Sequence, residues 1–320
     1  MKRQVPRSGY VLVMVLLVVF LAGVALAGLA RLSLVAALQS QGALEDLQRR
    51  WAVTSCRATL LGRVEELLDE AERGRGEDGQ LSKTHLNAPM IERRAKFRLA
   101  GVEYEVVLTD EQAKLNLNRL LDETSRAEVQ SVVAQWVSEA GAASDRRPEV
   151  NLQTLMDREN VSEENEALPR LGGYDQVFDN VSPKQLIGDD AAVGLAGAIT
   201  FWGDGKVNLR RAPARVLEQA CGQAIGPDVV TALLAVRQSD PYRKLSAMLA
   251  ESDGIAKDRK EKVYDYVTDG SACHGLWVIA RGAQRSWYTL AVSMGGGGAA
   301  DGSGQDGGEP HVGLVYEFAW

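Results

Sequence analysis

Hydrophobic and polar positions change their period several times along this chain, and each change predicts a different element. From Gly9 to Ala30 there are 22 consecutive residues without a charge, rich in Val, Leu and Ala. At about 1.5 Å per residue this run makes roughly 33 Å of helix, enough to cross a hydrocarbon core of about 30 Å. Beyond it, Leu44, Leu47, Trp51, Ala58, Leu61 and Leu68 recur at helical spacing among Glu45, Asp46, Arg49, Arg50 and Arg57, the pattern of an amphipathic helix. No Pro interrupts Tyr10 to Glu72, and Gly74-Arg75-Gly76 ends the pattern. The spacing predicts one helix of about 63 residues, roughly 95 Å long, with a break into two near Gly42 as the alternative.

The period then falls to two. Ala95 to Leu99 and Val102 to Leu108 alternate on either side of Ala100-Gly101 and predict a β-hairpin. Leu276 to Ala280 and Trp287 to Val292 predict a second pair, and Val312 to Phe318 a final strand. Before that strand, residues 295–308 hold eight Gly in 14 positions, too little apolar surface to order themselves, so a flexible loop is expected. Strands near both ends of the post-membrane region predict one antiparallel sheet packed on the helix, with residues 111–270 as an insertion.

That insertion reads as helical and carries a weak repeat. Lys114-Leu115-Asn116-Leu117-Asn118-Arg119 recurs as Lys206-Val207-Asn208-Leu209-Arg210-Arg211. The first copy leads to Ser125-x-x-Glu128, a capping-box pattern, and then to Val129, Val132, Val133, Trp136 and Val137 on one helical face. The second leads through Ala212-Pro213, with Pro placed for a first helical turn, to stripes at Val216, Leu217, Ala220 and at Val229, Val230, Leu233, Leu234. The stripes are separated by Gly222 to Gly226, so this part resembles a helix-hairpin-helix, or SAM-like, module with a longer turn than usual. Asn116 and Asn208 are expected to cap helices or turns through their side chains. Ser182-Pro183 similarly starts a helix at Lys184 to Ile187, and residues 141–170 form an unusually polar linker.

Composition narrows the function classes. Hydrophobic residues at 45% and charged residues at 25% are ordinary globular values and exclude a disordered chain. Thirty-six Lys+Arg against 43 Asp+Glu leave a net charge of -7, a poor footprint for a dedicated nucleic-acid binder. From Asp204 to Ala250 seven basic residues oppose four acidic ones, a local excess of three, so the hairpin module keeps a DNA-binding alternative open. Three cysteines and three histidines occur in no metal-ligand spacing, and whether Cys221 and Cys273 pair is left open. Nucleophile-elbow, P-loop and zinc-protease fingerprints are missing, as is a dinucleotide fingerprint set between a strand and a helix. Cys273-His274 would point to opposite faces of a strand and reads as a sheet-edge pair, while Arg49-Arg50 and Asp258 to Lys262 read as solvated helix faces.

The N-terminal junction carries a more specific signal. Lys2, Arg3 and Arg7 precede the apolar run and only Arg31 follows closely, which keeps the N-terminus cytoplasmic. A plain single-pass anchor and a cleaved secretory signal both remain as readings, although a secretory apolar region runs only about 7–15 residues. Arg7-Ser8-Gly9 directly before Tyr10-Val11-Leu12-Val13-Met14 resembles the class III signal of type IV pilins and type II secretion pseudopilins. The resemblance implies cleavage by a prepilin peptidase between Gly9 and Tyr10 and N-methylation of Tyr10. The family usually has Glu five residues after the cut, where this chain has Met14.

Asp110-Glu111-x-x-Lys114-Leu115-Asn116-Leu117-Asn118, then Lys206-Val207-Asn208-Leu209 followed by Ala212-Pro213 and Val216-Leu217, resembles the type II secretion minor pseudopilin K family. That family also lacks the position-five Glu, in agreement with Met14, although Trp136-Val137-Ser138-Glu139 departs from its acidic Trp-Ile-Asp stretch. The resemblance implies an α+β protein: a long transmembrane pilin helix packed on an antiparallel sheet, with a large helical (SAM-like) insertion. The expected layout is a leader 1–9, a transmembrane helix 10–31, helix continuation and hairpin 32–110, insertion 111–270 and C-terminal strands 271–320. It further implies a non-enzymatic protein of the inner membrane with its C-terminal domain in the periplasm, at the tip of a pseudopilus that supports protein export. The implied partners are the minor pseudopilins I and J, the major pseudopilin and the prepilin peptidase, with no nucleic acid. No cofactor is expected, although some members bind calcium, at sites that no residue here identifies.

Overall fold

The computed structural model of the chain describes residues 8–73, 91–99, 101–140, 149–150, 170–179, 181–188, 194–251, 255–282, 285–295 and 311–319. By contacts it divides into two compact units, Met1–Thr54 and Ser55–Trp320. Residues 1–7 of the expected leader 1–9, most of the polar linker and the Gly-rich loop from 296 onward lie outside the described residues.

Helix α1 runs from Ser8 to Leu60. Leu, Ala and Met favour a helix, and the Val-rich first turns lose little there because an apolar surrounding leaves backbone groups no partner but the helix itself. A 3₁₀ turn, Leu61–Arg63, follows without a gap and leads into α2, Val64–Arg73. The irregularity in the predicted long helix thus falls at Leu61–Arg63, and the helix is continuous through Gly42. Among the described residues, Tyr10–Arg73 is the one helix long and apolar enough to cross a membrane. Its Val11 to Leu21 side chains are all exposed, Tyr10 is 69% and Met14 49% exposed, as a bilayer-facing segment requires.

The second unit is built on five strands: β1 (Glu92–Leu99), β2 (Val102–Asp110), β9 (Cys273–Arg281), β10 (Ser286–Met294) and β11 (His311–Ala319). They form one sheet in the order β1-β2-β9-β10-β11, antiparallel throughout. Strand alternation gives the sheet two distinct faces. On one, Tyr104, Val106, Leu108, Leu276, Val278 and Ala280 are buried, as are Leu61, Val64 and Leu68 of the helical segment. The bond from His274 to Glu65 and that from Arg93 to the Leu67 carbonyl tie α2 to this face. On the other, Val107, Trp277, Ile279, Leu290 and Val292 join the core of the helical region.

β2 and β9 are neighbours in the sheet, so everything from Glu111 to Ala272 leaves and re-enters between them. This segment contributes, in chain order, β3 (Leu115–Asn116), α3 (Leu117–Glu123), α4 (Arg126–Ala140), β4 (Glu149–Val150), β5 (Phe178–Asp179), α5 (Pro183–Ile187), α6 (Leu195–Ala198), β6 (Ile199–Thr200), β7 (Val207–Asn208), α7 (Ala214–Ile225), α8 (Pro227–Ser239), α9 (Leu245–Glu251), α10 (Lys257–Tyr266) and β8 (Val267–Thr268). Its own aromatic centre is Tyr174, whose ring meets Phe201 at 5.0 Å, Trp202 at 5.7 Å and the sheet residue Trp277 at 6.2 Å. Burying such rings contributes about 0.5–1.5 kcal/mol per pair beyond the area term.

Both copies of the repeat adopt one device. Leu115-Asn116 pairs in parallel with Ile199-Thr200, and Val207-Asn208 with Val267-Thr268. In each, the Asn side chain then organises the turn that follows: Asn116 accepts from the Arg119 amide at 3.0 Å and Asn208 from the Arg210 amide at 3.1 Å.

Three expectations are corrected. The hairpin turn between α7 and α8 is one residue, Gly226, because α7 continues through Gly222 to Ile225. Gly226 takes φ +95°, which a side chain rarely adopts. Pro213 stands at the cap position just before α7, one residue short of the first turn. Cys273 and His274 are not at a sheet edge but begin β9, the middle strand, and both are buried.

Candidate functional site

Two regions bear on function: the start of α1 and a charge cluster buried beside α2. The helix begins at Ser8, so Gly9, Tyr10 and Met14 lie in its first two turns. Tyr10 and Met14 are exposed.

The cluster starts from a spacing in α2. Glu65, Asp69 and Glu72 stand four and three residues apart, which aligns them on one helical face. Asp110, at the end of β2, adds a fourth carboxylate. The adjacent pair Arg210-Arg211, placed by the second repeat, answers them. Arg211 is 0% exposed; its Nε donates to Glu72 at 2.6 Å, its Nη2 to Asp69 at 2.6 Å and its Nη1 to Asp110 at 3.2 Å. A further Nη1 bond reaches Glu65. Arg210 donates to Glu65 at 3.0 Å and to Asp69. Asn208 donates to Asp110 at 2.7 Å, Tyr242 to Glu72 at 3.2 Å, and His274 Nε2 lies 3.0 Å from Glu65. Arg73 and Arg210 both lie over the Tyr242 ring, at 4.6 and 5.3 Å.

A second buried polar hub lies at the exit from β2. Glu111 accepts from Thr109 and Thr200, each at 2.7 Å, and from Lys114 at 2.5 Å. Lys114 and Glu111 are each 0% exposed. Gln112 donates to Asp204 at 2.7 Å and accepts from the Ala272 amide at 2.5 Å. Of the motif residues, Glu111 thus links Thr109 of β2 to Lys114 and Thr200, Asn208 is bonded to Asp110, and Asn116 donates to the Trp202 carbonyl within the insertion.

Electrostatics follow from this geometry. Burial by itself raises the Glu65 pKa, but the hydrogen bond from His274 and the Arg211 charge outweigh it and hold the group at about 2, from an ordinary 4.5. Burial opposes the Arg211 charge, yet Glu65, Asp110 and Glu72 raise its pKa above the ordinary value. A carboxylate depressed in the folded state stabilises it above its unfolded pKa, and that contribution is lost as pH falls through the folded pKa. The stability supplied by Glu65 is accordingly expected to be complete above about pH 4.5 and to decline from there toward pH 2. Asp69, Glu72 and Asp110 face the same guanidinium groups, and His274 contacts Glu65 itself. Denaturant midpoints of Glu65→Gln and the parent should converge as pH falls from 5 to 3; a constant gap would refute the assignment.

What the cluster can do chemically is limited. Its carboxylates are engaged by guanidinium groups, whose charge repels a calcium ion, and among the described residues no group of three or more His, Cys, Asp or Glu is placed to hold a metal ion. The residues of this cluster therefore do not fit a calcium ion. The three cysteines are free and buried, with no Cys221–Cys273 disulfide. Burial pushes the Cys221 thiol up to about 12 and the Cys273 thiol higher still, the opposite of nucleophilic activation.

The hairpin α7–α8 fares similarly as a phosphate site. Arg210 and Arg211 are consumed by the cluster. Arg215 stacks on Trp136 at 3.9 Å, Arg237 donates to the Leu209 and Ala212 carbonyls, and Arg243 pairs with Glu251. Asp228 occupies the first turn of α8 and is held by Arg259 at 2.8 Å. Five of the seven basic residues from Asp204 to Ala250 are thus engaged within the fold, and the DNA-binding alternative gains no support. Sequence reasoning missed the ionic cluster, although the spacing of Glu65, Asp69 and Glu72 was a visible signal for an acidic helix face that needs a partner.

Geometry and sequence together define an α+β protein with a membrane-length helix near its N-terminus and a large helical segment set between two neighbouring strands. No protein-family model matches the chain, and no match is found among curated proteins. Among solved structures it is similar to a chain of the GspK–GspI–GspJ complex from the type 2 secretion system of enterotoxigenic Escherichia coli. Identity is 14%, the match covers 81% of this chain and 95% of that one, and the TM-score is 0.42.

Proposed function

We propose that this protein is a minor pseudopilin of a type II secretion system, the K-type member at the tip of the pseudopilus, where it initiates assembly and supports protein export. The observation that carries this reading is the helix that begins at the Ser8-Gly9-Tyr10 junction, runs exposed and apolar through a membrane length, and continues through α2 onto an antiparallel sheet. A basic leader ending in Gly before such a helix is the substrate of a prepilin peptidase by resemblance. The N-terminus then lies in the cytoplasm and the second unit in the periplasm.

Met14 favours the tip. In a pilin stack the N-terminal amine lies inside an apolar helix bundle, where an unpaired charge is expensive. By resemblance, the carboxylate five residues past the cut serves the amine of the adjacent subunit above. A chain with Met14 offers no such carboxylate, so a subunit added above it is disfavoured. Its own Tyr10 amine is still supported from below by a Glu of the minor pseudopilins I or J, which in turn lead to the major pseudopilin.

The test is the N-terminus of the protein purified from membranes. Mass spectrometry should find a chain starting at methylated Tyr10. A Cβ at the cleavage position obstructs a peptidase that works on a narrow extended backbone, so Gly9→Leu should retain the leader. A wild-type chain that keeps Met1 would overturn the proposal in favour of a plain anchor.

A further inference from the structure

We propose that the outer edge of β1 is a docking site for an extended segment of a partner protein in which acidic and apolar residues alternate, the segment adding a sixth strand to the sheet. β1 is terminal in the strand order, so its outer backbone groups have no strand partner among the described residues. Such a row of N–H and C=O groups is a template for strand addition. The first half of β1 is tied down, Arg93 to the Leu67 carbonyl at 2.9 Å and Arg94 to the Ile187 carbonyl at 2.6 Å. Residues Ala95 to Leu99 are all exposed.

The chemistry of the two faces selects the occupant. On one face charge alternates across the strands: Arg98 is opposite Glu103, which is opposite Arg281, and Arg281 also reaches the buried Glu105 at 2.5 Å. Lys96, next along the same face of β1, is opposite Glu105. The row reads basic, acidic, basic from β1 to β9, and a further strand beside β1 continues it with acidic residues. On the opposite face Phe97 stacks on Tyr104 at 5.2 Å and remains 37% exposed, and Leu99 is 46% exposed. A strand that carries apolar residues on this side covers both. Because side chains alternate with period two, the same segment meets both demands. A second copy of β1, itself basic, would be repelled. The site stands on β1 alone and does not depend on the pseudopilin assignment.

The experiment uses the full-length protein in detergent micelles and a fluorescent, end-capped peptide of four Glu-Val repeats, with four Lys-Val repeats as the comparison. Expected is saturable binding of the Glu-Val peptide, at least tenfold tighter than the Lys-Val peptide, with slowed amide hydrogen exchange confined to Ala95–Leu99. Lys96→Glu with Arg98→Glu, both on exposed positions, should reverse the preference at a modest cost in the unfolding midpoint, because Glu then stands opposite Glu105 and Glu103. Should that variant misfold, the exchange pattern of the parent with and without peptide decides alone. Equal binding of both peptides by the parent protein, protection elsewhere, or β1 amides all protected before peptide is added would each overturn the proposal.

Discussion

Arg211→Met should lower the thermal midpoint of the protein by about 10 °C, and Arg210→Met by less than half as much. Arg211 contacts Glu65, Asp69, Glu72 and Asp110, and its side chain is 0% exposed. Glu72 and Asp110 are 0% exposed as well. Breaking a buried ion pair by removing one partner costs about 3–5 kcal/mol, and here Asp110, which Arg210 does not reach, is left buried without its guanidinium. Each kcal/mol moves the midpoint of a domain of this size by roughly 2–4 °C. Arg210 is 10% exposed and shares Glu65, Asp69 and Glu72 with Arg211, so its loss strands no carboxylate. Scanning calorimetry on the detergent-solubilised protein would separate the two variants; equal losses would mean that the cluster acts as diffuse charge, without the specific bridge described above.

The second large effect is at Lys114. Lys114→Met leaves Glu111 buried with only the hydroxyls of Thr109 and Thr200, and about 3–5 kcal/mol of stability should be lost. Lys114→Met combined with Glu111→Gln leaves neither charge buried alone. Gln keeps a carbonyl oxygen for the two hydroxyls, so the double variant should recover at least about half of that loss. Chemical unfolding of the three variants closes the cycle. A double variant worse than the sum of the singles would show that the pair serves packing and not charge compensation.

The long helix, the hairpin from Glu92 to Asp110 and the paired strands near the C-terminus were legible because each rests on a period. A 3.6-residue or two-residue repeat of apolar side chains is set by local backbone geometry, so a window of a dozen residues carries it. The repeat of Lys-x-Asn-Leu also held its meaning, since an Asn side chain that caps a turn acts within three residues. Gly222 misled: inside an amphipathic stripe a glycine is tolerated at about 1 kcal/mol, and α7 runs through it to the turn at Gly226. Basic residues misled for the opposite reason. Counting charge from Asp204 to Ala250 suggested a cationic surface, yet the groups that neutralise Arg210 and Arg211 come from α2 and β2.

The sequence alone thus determined the membrane-length helix, the sheet-forming segments and the helical character of the insertion, all properties of short windows. Only the tertiary structure decided which charges are sites and which are ties. Arg211 and Glu72 are 139 residues apart and His274 and Glu65 are 209 apart, and no local pattern encodes a contact over that distance. It also left β1 as the outermost strand with a basic edge. The physical reason is that a charge takes its meaning from its dielectric surroundings. The same Arg is a solvated surface group in water and, beside buried carboxylates, a bond that holds the fold.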